Sequence, residues 1–261
     1  MSIHPTAVVS PLATLGEEVV IGPYAIVDED VIIGARTRLD AHAQVRRGSV
    51  VGEDNQIGSG AIIGADPQFH GFDSQSKTAT RVGNKNVIRE YVTIHRSIEE
   101  EGATLLGDEN YLMTGAHLGH DCLVGSHNTL ANNVLLGGHV ELANHCFLGG
   151  GAVFHQFVRI GDYALAQGLA GMSLDVPPYT IAAGINQIAG INAIGLKRAG
   201  FDGNTRKEIK EAFRLFYRTD RSIAEVLSDT CPESESPALR AFFDFLRKKS
   251  KKGICSKFGN P

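Results

Sequence analysis

The sequence contains no tryptophan and only four cysteines, and no apolar run approaches the roughly 20 residues that a membrane-spanning helix needs. The cysteines form no CxxC pair and are too sparse for a disulfide-stabilised secreted domain, so we expect a reducing compartment. The first residues also lack the charged and then apolar layout of a secretory signal. These absences predict a cytoplasmic protein without a membrane span.

An excess of basic charge is missing as well. The chain carries 25 Lys and Arg against 29 Asp and Glu, for a net charge of −4, which gives no reason to expect nucleic-acid binding. Hydrophobic residues make up 43% of the 261 residues, enough for a folded core in one large domain, with or without a smaller one. Glycine, by contrast, is abundant at 30 residues, and this predicts many turns.

An aliphatic residue recurs at every sixth position from Ile3 onward. Eleven consecutive members of this series are aliphatic, ending at Ile63. The position four residues after each member is usually small or β-branched, and the position directly after is often glycine. The series is interrupted near 65–81, resumes out of frame at Val82, is interrupted again near 97–104 and continues to Met172. A fixed short period of this kind predicts a β-solenoid.

Each six-residue unit supplies one short strand of the solenoid, with the aliphatic residue and the small residue at +4 pointing inward. Glycine at +1 is expected at a corner that needs unusual backbone angles. The repeat resembles the left-handed β-helix of hexapeptide-repeat acyltransferases. That resemblance implies three faces per coil, so that residues 18 apart stack about 4.8 Å from one another. The predicted fold is mainly β: a left-handed parallel β-helix over 1–186, with two loops leaving the prism.

Beyond residue 187 the six-residue pattern gives way to helical spacing of apolar residues. Thr205 and Glu208 have the spacing of a capping box, Ser222 begins a similar segment, and Ser236 followed by Pro237 is typical of another helix start. These signals predict an α-helical C-terminal domain over 187–261. We expect it to cover one open end of the prism, because an uncovered strand edge invites association.

The stretch AHLGHDCLVG places polar, titratable groups in the middle of the repeat. His120 is at +2 and Asp121 at +3, so both avoid the inward positions. One coil further, Gly138 occupies +2 and His139 occupies +3, and one coil beyond that Gln156 occupies +2. These residues are therefore predicted to form two adjacent columns on the outside of one face.

This constellation has the parts of a general-base site. His120 is the side-chain type best suited to accept a proton near neutral pH, and the neighbouring Asp121 can orient the imidazole. Gly138 leaves its backbone N–H open to a developing oxyanion. His117, at the preceding corner, and His155, at +1 on the same face, add further polar groups. A solvated surface is the usual explanation for one histidine, but not for a cluster.

A second pair competes with this interpretation. His127 and His145 both occupy +3 on the third face, 18 residues apart. Outward histidines bind zinc at subunit seams in hexapeptide-repeat carbonic anhydrases, and zinc needs three or four ligands. A zinc-dependent hydratase therefore remains an alternative. Cys122 and Cys146 occupy inward positions, where cysteine acts as a small hydrophobic residue.

Longer motifs point to one family. AHLGHDCLVG, LANNVLLGGHV, AVFHQFVRIG, DVPPY and GLKRAGF follow in order at the spacing of the UDP-N-acetylglucosamine acyltransferases, and the chain resembles this family along nearly its whole length. The resemblance implies transfer of a 3-hydroxyacyl group from acyl carrier protein to the 3-position of UDP-N-acetylglucosamine, the first step of lipid A biosynthesis. It also implies a homotrimer with active sites between prisms, and no metal or resident cofactor beyond the donor's phosphopantetheine arm.

The resemblance also implies roles for individual residues. His120 would be the general base, Asp121 would orient it, and the Gly138 N–H would stabilise the oxyanion. Gly168 falls where the family measures acyl chain length, while the nucleotide and phosphates would be contacted from the C-terminal part. The implied substrate contacts are His117, His139, His155, Gln156, Gly168, Asn192 and Arg198.

The chain departs from the family pattern in residues that concern the acceptor. Phe69 and Gly71 stand where the first loop usually carries Asp and Lys, and Asp73 and Lys77 are the candidates to replace them. Two more departures are Ala199, in place of a second arginine, and Ile194, in place of an acidic residue. The same chemistry on a 3-amino UDP-sugar therefore remains open, as does a non-catalytic binding solenoid.

Overall fold

The computed structural model describes residues 1–219, 225–227 and 236–257, except for the side chains of 256 and 257. Short strands wind into a parallel β-helix with three faces, and helices follow at its C-terminal end. Ser222, the predicted start of a helix, lies outside the described residues, as do 220–221, 223–224, 228–235 and 258–261, whereas residues 225–227 of the same segment are helical as predicted.

Each face of the prism is one sheet, and successive turns of the chain visit the three faces in order. Face 1 contains Ser2–Ile3, Val20–Ile21, Arg38–Leu39, Gln56–Ile57, Val87–Ile88, Tyr111–Leu112, Thr129–Leu130, Phe147–Leu148, Leu165–Ala166, Thr180–Ala183, Gln187–Ile191 and Ser256–Lys257. Face 2 contains Val8–Val9, Ile26–Val27, Gln44–Val45, Ile62–Ala65, Thr93–His95, His117–Leu118, Leu135–Leu136, Val153–Phe154 and Gly171–Met172. Face 3 contains Thr14–Leu15, Ile32–Ile33, Ser49–Val51, Ala79–Val82, Ala103–Leu106, Leu123–Val124, Glu141–Leu142 and Arg159–Ile160.

The register follows the expected 18-residue coil. Leu118 pairs with Leu136, and Leu136 pairs with Phe154, so the two coils that follow His120 stack in phase. The two excursions leave the prism between Ile62–Ala65 and Ala79–Val82, and between Thr93–His95 and Ala103–Leu106. Because the strands on either side still pair, each excursion is an insertion at a corner; the register shifts only locally, between Ile63 and Ala65, where the first excursion leaves the prism.

The corners show why glycine recurs at +1, and the reason differs from the predicted one. Gly16 and Gly34 do not have positive φ; a Cβ on either would lie 2.6 Å from backbone atoms of the next coil. The left-handed backbone falls two residues later, on side chains such as Glu18 (φ 57°) and Arg36 (φ 58°). At these corners glycine is therefore required by the close approach of successive coils, not by the backbone angles as predicted; Gly64, where the first excursion leaves the prism, is a +1 glycine that does have positive φ (80°).

Aliphatic side chains fill the prism, as the period predicts: Leu118, Leu136 and Phe154 are buried. One inward column is polar and forms a ladder of hydrogen bonds. Each asparagine side-chain oxygen accepts from the backbone N–H of the residue one coil further on, at 2.8 to 2.9 Å. The ladder consists of Asn55, Asn86, Asn110 and Asn128. Every rung along this corner is thereby tied to the next.

Among its described residues, the C-terminal part includes the helices α1 (Ala193–Arg198), α2 (Gly203–Tyr217) and α3 (Pro237–Arg247), and residues 225–227 are also helical. The cap of α2 is Asp202, which accepts from the backbone N–H groups of Asn204 and Thr205, so the predicted cap at Thr205 is wrong. Ser236 and Pro237 begin α3 as predicted. The boundary predicted at 186/187 falls between the strands Thr180–Ala183 and Gln187–Ile191, which pair within face 1. The strand Ser256–Lys257, near the end of the described chain, pairs with Gln187–Ile191 in the same sheet.

A buried ion pair joins the helices to the prism. Arg159 on face 3 contacts Asp175 at 2.7 Å, and the Arg159 guanidinium also donates to the carbonyl oxygens of Phe245 and Lys248 at the end of α3. The backbone of Asp175 bonds Gly253 and Cys255 in turn. The final segment is therefore held beside the polar face. Within the described residues, no helix combines the length and the apolar character that crossing a membrane requires.

Candidate active site

His120 and Asp121 lie in the turn between faces 2 and 3, just after the strand His117–Leu118, and not on a flat face as predicted, because only two residues of this repeat form the strand. The imidazole Nδ1 of His120 and the Oδ2 atom of Asp121 are 2.8 Å apart. Asp121 has φ 59°, a left-handed conformation that aspartate tolerates better than most residues. Because Nδ1 is bonded to the carboxylate, the other nitrogen, Nε2, is the one free to accept a proton from a substrate.

The Asp121 carboxylate is held on both oxygens. Ser97 donates from its hydroxyl to Oδ1, and the backbone N–H of Ile98 donates to Oδ2 at 3.2 Å. Burial raises the pKa of Asp121, but the hydrogen bonds from Ser97, His120 and Ile98 outweigh burial and keep the pKa below its ordinary value. Asp121 is therefore an anion at neutral pH, as an imidazolium partner requires.

Gly138 lies directly beneath the imidazole of His120. A Cβ on Gly138 would come within 2.6 Å of both Nε2 and Cε1. Only glycine fits this position without moving the ring, and the edge of the ring formed by Nε2 and Cε1 lies over it. In the described part of the chain the Gly138 N–H donates no hydrogen bond, although Gly138 itself is buried under the His120 ring. A proton acceptor and an unused backbone donor are thus adjacent.

The second column also forms as predicted and continues one residue further. The His139 ring meets the His120 ring edge to face at 5.1 Å, and its Nε2 lies 3.8 Å from Oδ2 of Asp121. Phe157 then stacks on His139 at 4.6 Å. Burial lowers the pKa of His139 below its ordinary value, despite the attraction of Asp121. A neutral His139 presents a hydrogen-bonding group without adding charge.

His117 lies in a strand of face 2 and not at the preceding corner as predicted, and its ring centroid is 5.1 Å from that of His95. Its Nδ1 shares a hydrogen bond of 2.8 Å with the Thr93 hydroxyl. Burial, and to a lesser extent the neighbouring His95, lowers the pKa of His117 to about 4. His117 is therefore neutral at pH 7 and joins the polar surface that leads to His120.

His155 and Gln156 are exposed and follow the strand Val153–Phe154, two coils beyond His120 on the same side of the prism. The Nζ atom of Lys252 lies 3.1 Å from Nδ1 of His155, and the Nζ atom of Lys251 lies 4.5 Å above the Phe157 ring. The six-residue period ends well before the lysine-rich segment 247–253 and gives no information about where that segment packs. The segment reaches this face because the backbone of Asp175 forms hydrogen bonds with Gly253 and Cys255.

Phe69 is a further neighbour of the site. Its ring meets that of His120 edge to face at 6.2 Å, although it lies in the first excursion and is half exposed. The Asp73 carboxylate accepts from the backbone N–H of Gln75, which makes it part of a turn within the same loop. The loop thus supplies an apolar ring beside the candidate base.

Three predicted contacts lie elsewhere on the chain. Asn192 and Arg198 line a cavity of about 820 Å³ whose lining includes none of the residues around His120. The Asn192 side chain already caps α1 through Gly195 N–H and donates to the Tyr163 carbonyl. Gly168 lies at the corner between faces 1 and 2, where a Cβ would come within 3.3 Å of the Gly150 carbonyl oxygen. A single chain does not bring these residues to the base.

The competing histidine pair forms a ladder of stacked rings. His127 and His145 are 4.6 Å apart and nearly parallel, and Tyr163 stacks on His145 at 4.7 Å. Among the described residues, the group of three whose ligand atoms would admit a metal by distance is His120, Asp121 and His139, within 4.8 Å of one another. Two of those atoms already share a hydrogen bond, so the trio is a hydrogen-bonded dyad with a neighbouring imidazole.

Sequence comparison identifies relatives along the whole chain. The family model described as the second domain of UDP N-acetylglucosamine O-acyltransferase matches residues 175–255. A protein from Halorhodospira halophila, named acyl-[acyl-carrier-protein]–UDP-N-acetylglucosamine O-acyltransferase, is 41% identical over 97% of this chain and 98% of its own length. The protein of the same name from Synechocystis is 38% identical over a shorter alignment, 65% of this chain and 62% of that protein.

Solved structures agree with the sequences. The UDP-N-acetylglucosamine acyltransferase of Francisella novicida superimposes with a TM-score of 0.93 at 34% identity, covering 99% of this chain and 95% of that one. The corresponding enzyme of Bacteroides fragilis gives a TM-score of 0.91 at 36% identity, covering 97% and 99%. These superpositions confirm the predicted left-handed parallel β-helix.

Proposed function

The chain belongs to the UDP-N-acetylglucosamine O-acyltransferase family and is an acyltransferase, and we propose that His120, Asp121 and Gly138 form its active site. The reaction transfers a 3-hydroxyacyl group from acyl carrier protein to the 3-hydroxyl of UDP-N-acetylglucosamine, the first step of lipid A biosynthesis. The observation that carries the assignment of the site is the close approach of the His120 ring, whose Nδ1 is bonded to Asp121, to the side-chain-free position of Gly138.

The geometry supplies each step of an acyl transfer. Nε2 of His120 accepts the proton of the acceptor hydroxyl while the oxygen attacks the thioester carbon, and Asp121 stabilises the imidazolium that forms. The carbonyl oxygen becomes an oxyanion and accepts from the Gly138 N–H. The C–S bond then breaks, and the imidazolium returns the proton to the leaving thiolate. No group beyond the donor's phosphopantetheine arm is needed.

The His120→Ala variant tests this assignment. Because general-base catalysis contributes about 10²- to 10⁴-fold, we expect a loss of that size in kcat, with the unfolding midpoint unchanged. The matched control is His42→Ala, which removes an exposed histidine from a left-handed corner of an early coil, where its ring stacks on Tyr24. An active His120→Ala enzyme, measured by mass spectrometry of the acylated UDP-sugar, would exclude this base.

The identity of the acceptor atom is a separate question with its own experiment. Phe69, Ile194 and Ala199 replace polar family residues, so recognition of the sugar nucleotide differs from the family pattern. We propose the hydroxyl acceptor, because the proteins named above are O-acyltransferases. Product analysis with UDP-N-acetylglucosamine and its 3-amino analogue in competition decides the point. Predominant amide product would overturn the hydroxyl assignment and leave the acyltransferase assignment intact.

We further propose that the enzyme is a homotrimer whose active sites lie between subunits. The proposal is supported by the separation of Arg198 from the histidine columns and by outward apolar side chains such as Leu135, Phe147 and Val153. Co-expression of His120→Ala chains with Arg198→Ala chains tests it. Mixed trimers should regain activity at the sites that combine an intact His120 with an intact Arg198. If mixing restores nothing although mixed trimers form, each site is built from one chain.

Acyl carrier protein, the proposed donor partner, is expected to approach over the lysine-rich end. Within the part of the chain that the structure describes, Lys251 and Lys252 have no carboxylate within 4 Å, and both lie against the site through Phe157 and His155. Replacing both by glutamate should raise KM for the acyl carrier about tenfold or more at low salt and leave KM for the UDP-sugar unchanged. An unchanged carrier KM would place docking elsewhere.

Metal dependence and compartment follow from the same proposal. We propose that the enzyme works without a metal, which elemental analysis tests: one zinc per chain, lost together with activity on chelation, would favour the hydratase alternative.

We also propose a cytoplasmic location. The described cysteines Cys122, Cys146 and Cys255 are unpaired and buried, as expected for a reducing environment.

A further inference from the structure

The second excursion returns to the candidate active site through Ser97. Ser97 lies two residues after the end of the strand Thr93–His95, and it is fully buried. Its Oγ accepts from the backbone N–H of Glu99 at 2.9 Å and donates to Oδ1 of Asp121. A second possible acceptor, the Glu99 carbonyl, is 3.3 Å away. The hydroxyl proton goes to the carboxylate, because charged acceptors form the shorter and stronger bond.

The two oxygens of Asp121 therefore have different partners. Oδ1 accepts a hydrogen bond from the Ser97 hydroxyl, while Oδ2 accepts one from the Ile98 N–H and lies beside Nδ1 of His120. On the other side, the Asp121 backbone N–H donates to the Thr104 hydroxyl at 2.7 Å. Ser97 at the start of the excursion and Thr104 at its end thus both form hydrogen bonds with Asp121. We infer that Ser97 is a positioning residue, which fixes the rotation of the Asp121 carboxylate and limits how strongly that carboxylate holds the proton on His120.

The physical consequence is a change in acidity at the site. A hydrogen bond to a carboxylate disperses its negative charge and weakens its attraction for a neighbouring imidazolium. This agrees with the lowered pKa of Asp121. Without the Ser97 hydroxyl, Asp121 would bind the His120 imidazolium more tightly, and the base would stay protonated to a higher pH. The other titratable or charged groups acting on this cluster are His95, His139, Glu99 and Lys251.

The inference rests on the proposed acyl transfer and predicts a shift in its pH profile. In Ser97→Ala we expect the acid limb of kcat/KM to move to higher pH by about 0.5 to 1 unit, with kcat reduced several-fold at pH 7. Ser97→Thr, which restores a hydroxyl, should return the limb toward its original position. The matched control is Ser126→Ala, since the Ser126 hydroxyl also accepts from a backbone N–H, that of Asp108, but lies at the corner between faces 3 and 1.

The outcomes separate this inference from the function on which it depends. A purely structural role for Ser97 would lower the unfolding midpoint and the activity at every pH without moving the acid limb, and that result overturns the inference. An acid limb unchanged within 0.2 unit in a folded Ser97→Ala enzyme, a difference that profiles of this kind resolve, overturns it too. If the unaltered enzyme transfers no acyl group, the proposed function itself fails, and the inference fails with it.

Discussion

The contact between Gly138 and His120 makes a single methyl group a sharp probe of the site. In Gly138→Ala the new Cβ would lie 2.6 Å from Nε2, whereas ordinary contacts begin at 3.4 Å, so the ring must retreat by about 0.8 Å. A displacement of this size at a reacting atom costs about 10²-fold in rate, or about 2.7 kcal/mol of transition-state stabilisation. The backbone N–H survives the substitution, so the loss reports on the placement of the base.

The stability of the fold should hardly change in this variant. Gly138 does not have positive φ, so alanine can adopt its backbone conformation, and the ring above it faces solvent on one side. We expect the unfolding free energy to change by less than about 1 kcal/mol. The matched control is Gly190→Ala, because a Cβ there would meet nothing within 4 Å.

Steady-state kinetics with acyl carrier protein and the UDP-sugar measure the effect. We expect kcat to fall about 10²-fold in Gly138→Ala, with KM for the UDP-sugar within about twofold of its original value, and no change in the Gly190→Ala control. A Gly138→Ala enzyme that keeps more than half of its kcat would show that His120 need not occupy the observed position. The placement argument would then be refuted even if His120 itself proved essential.

Three further predictions concern stability. Asn110→Ala breaks the interior ladder and leaves the buried N–H of Asn128 without its acceptor, so it should lower the unfolding free energy by about 3 kcal/mol in urea. Arg159→Ala leaves the fully buried Asp175 unpaired and should cost about 3 to 5 kcal/mol, whereas the double replacement by apolar residues should cost much less. Burial lowers the pKa of His117 to about 4, below its value of about 6.5 in the unfolded chain, so the unfolded chain binds the proton first as the pH falls. The free energy of unfolding that His117 contributes above about pH 6.5 is therefore lost as the pH falls toward 4. In His117→Gln this loss should be smaller, as measured by urea midpoints between about pH 7 and 4.5.

The prism was predictable because its side chains obey one strict period. An aliphatic residue every six positions fixes which side chains point inward, and the 18-residue coil then places Leu118, Leu136 and Phe154 above one another. The role of the corner glycines was not predictable in the same way. A residue without a side chain suits both positive φ and close backbone approach, and only the distance between coils distinguishes the two.

The two columns of the site followed from the same stacking, but the residues that tune them did not. Ser97 and Phe69 reach the site from excursions that have no period, so their sequence positions carry no information about where they return. Lys252 is 97 residues from His155 along the chain and meets it only because the final segment is tied to Asp175. Contacts of this kind depend on the packing of irregular segments, which a repeat cannot encode.

The corner itself explains why the site lies where it does. Asp121, His139 and Phe157 occupy the same place in three successive coils, and all three have positive φ. A non-glycine residue in that conformation is destabilised by about 1 kcal/mol, and aspartate and histidine are among the residues that bear it best. The conformation directs each side chain away from the prism, one rung above the next, so that functional groups from distant parts of the sequence meet at about 5 Å. The base at +2 then lies beside the anion at +3 in its own coil and over the glycine at +2 in the following one. A chain that needs an imidazole, a carboxylate and an open N–H together obtains all three from one repeated turn, provided that one of the stacked +2 positions has no side chain.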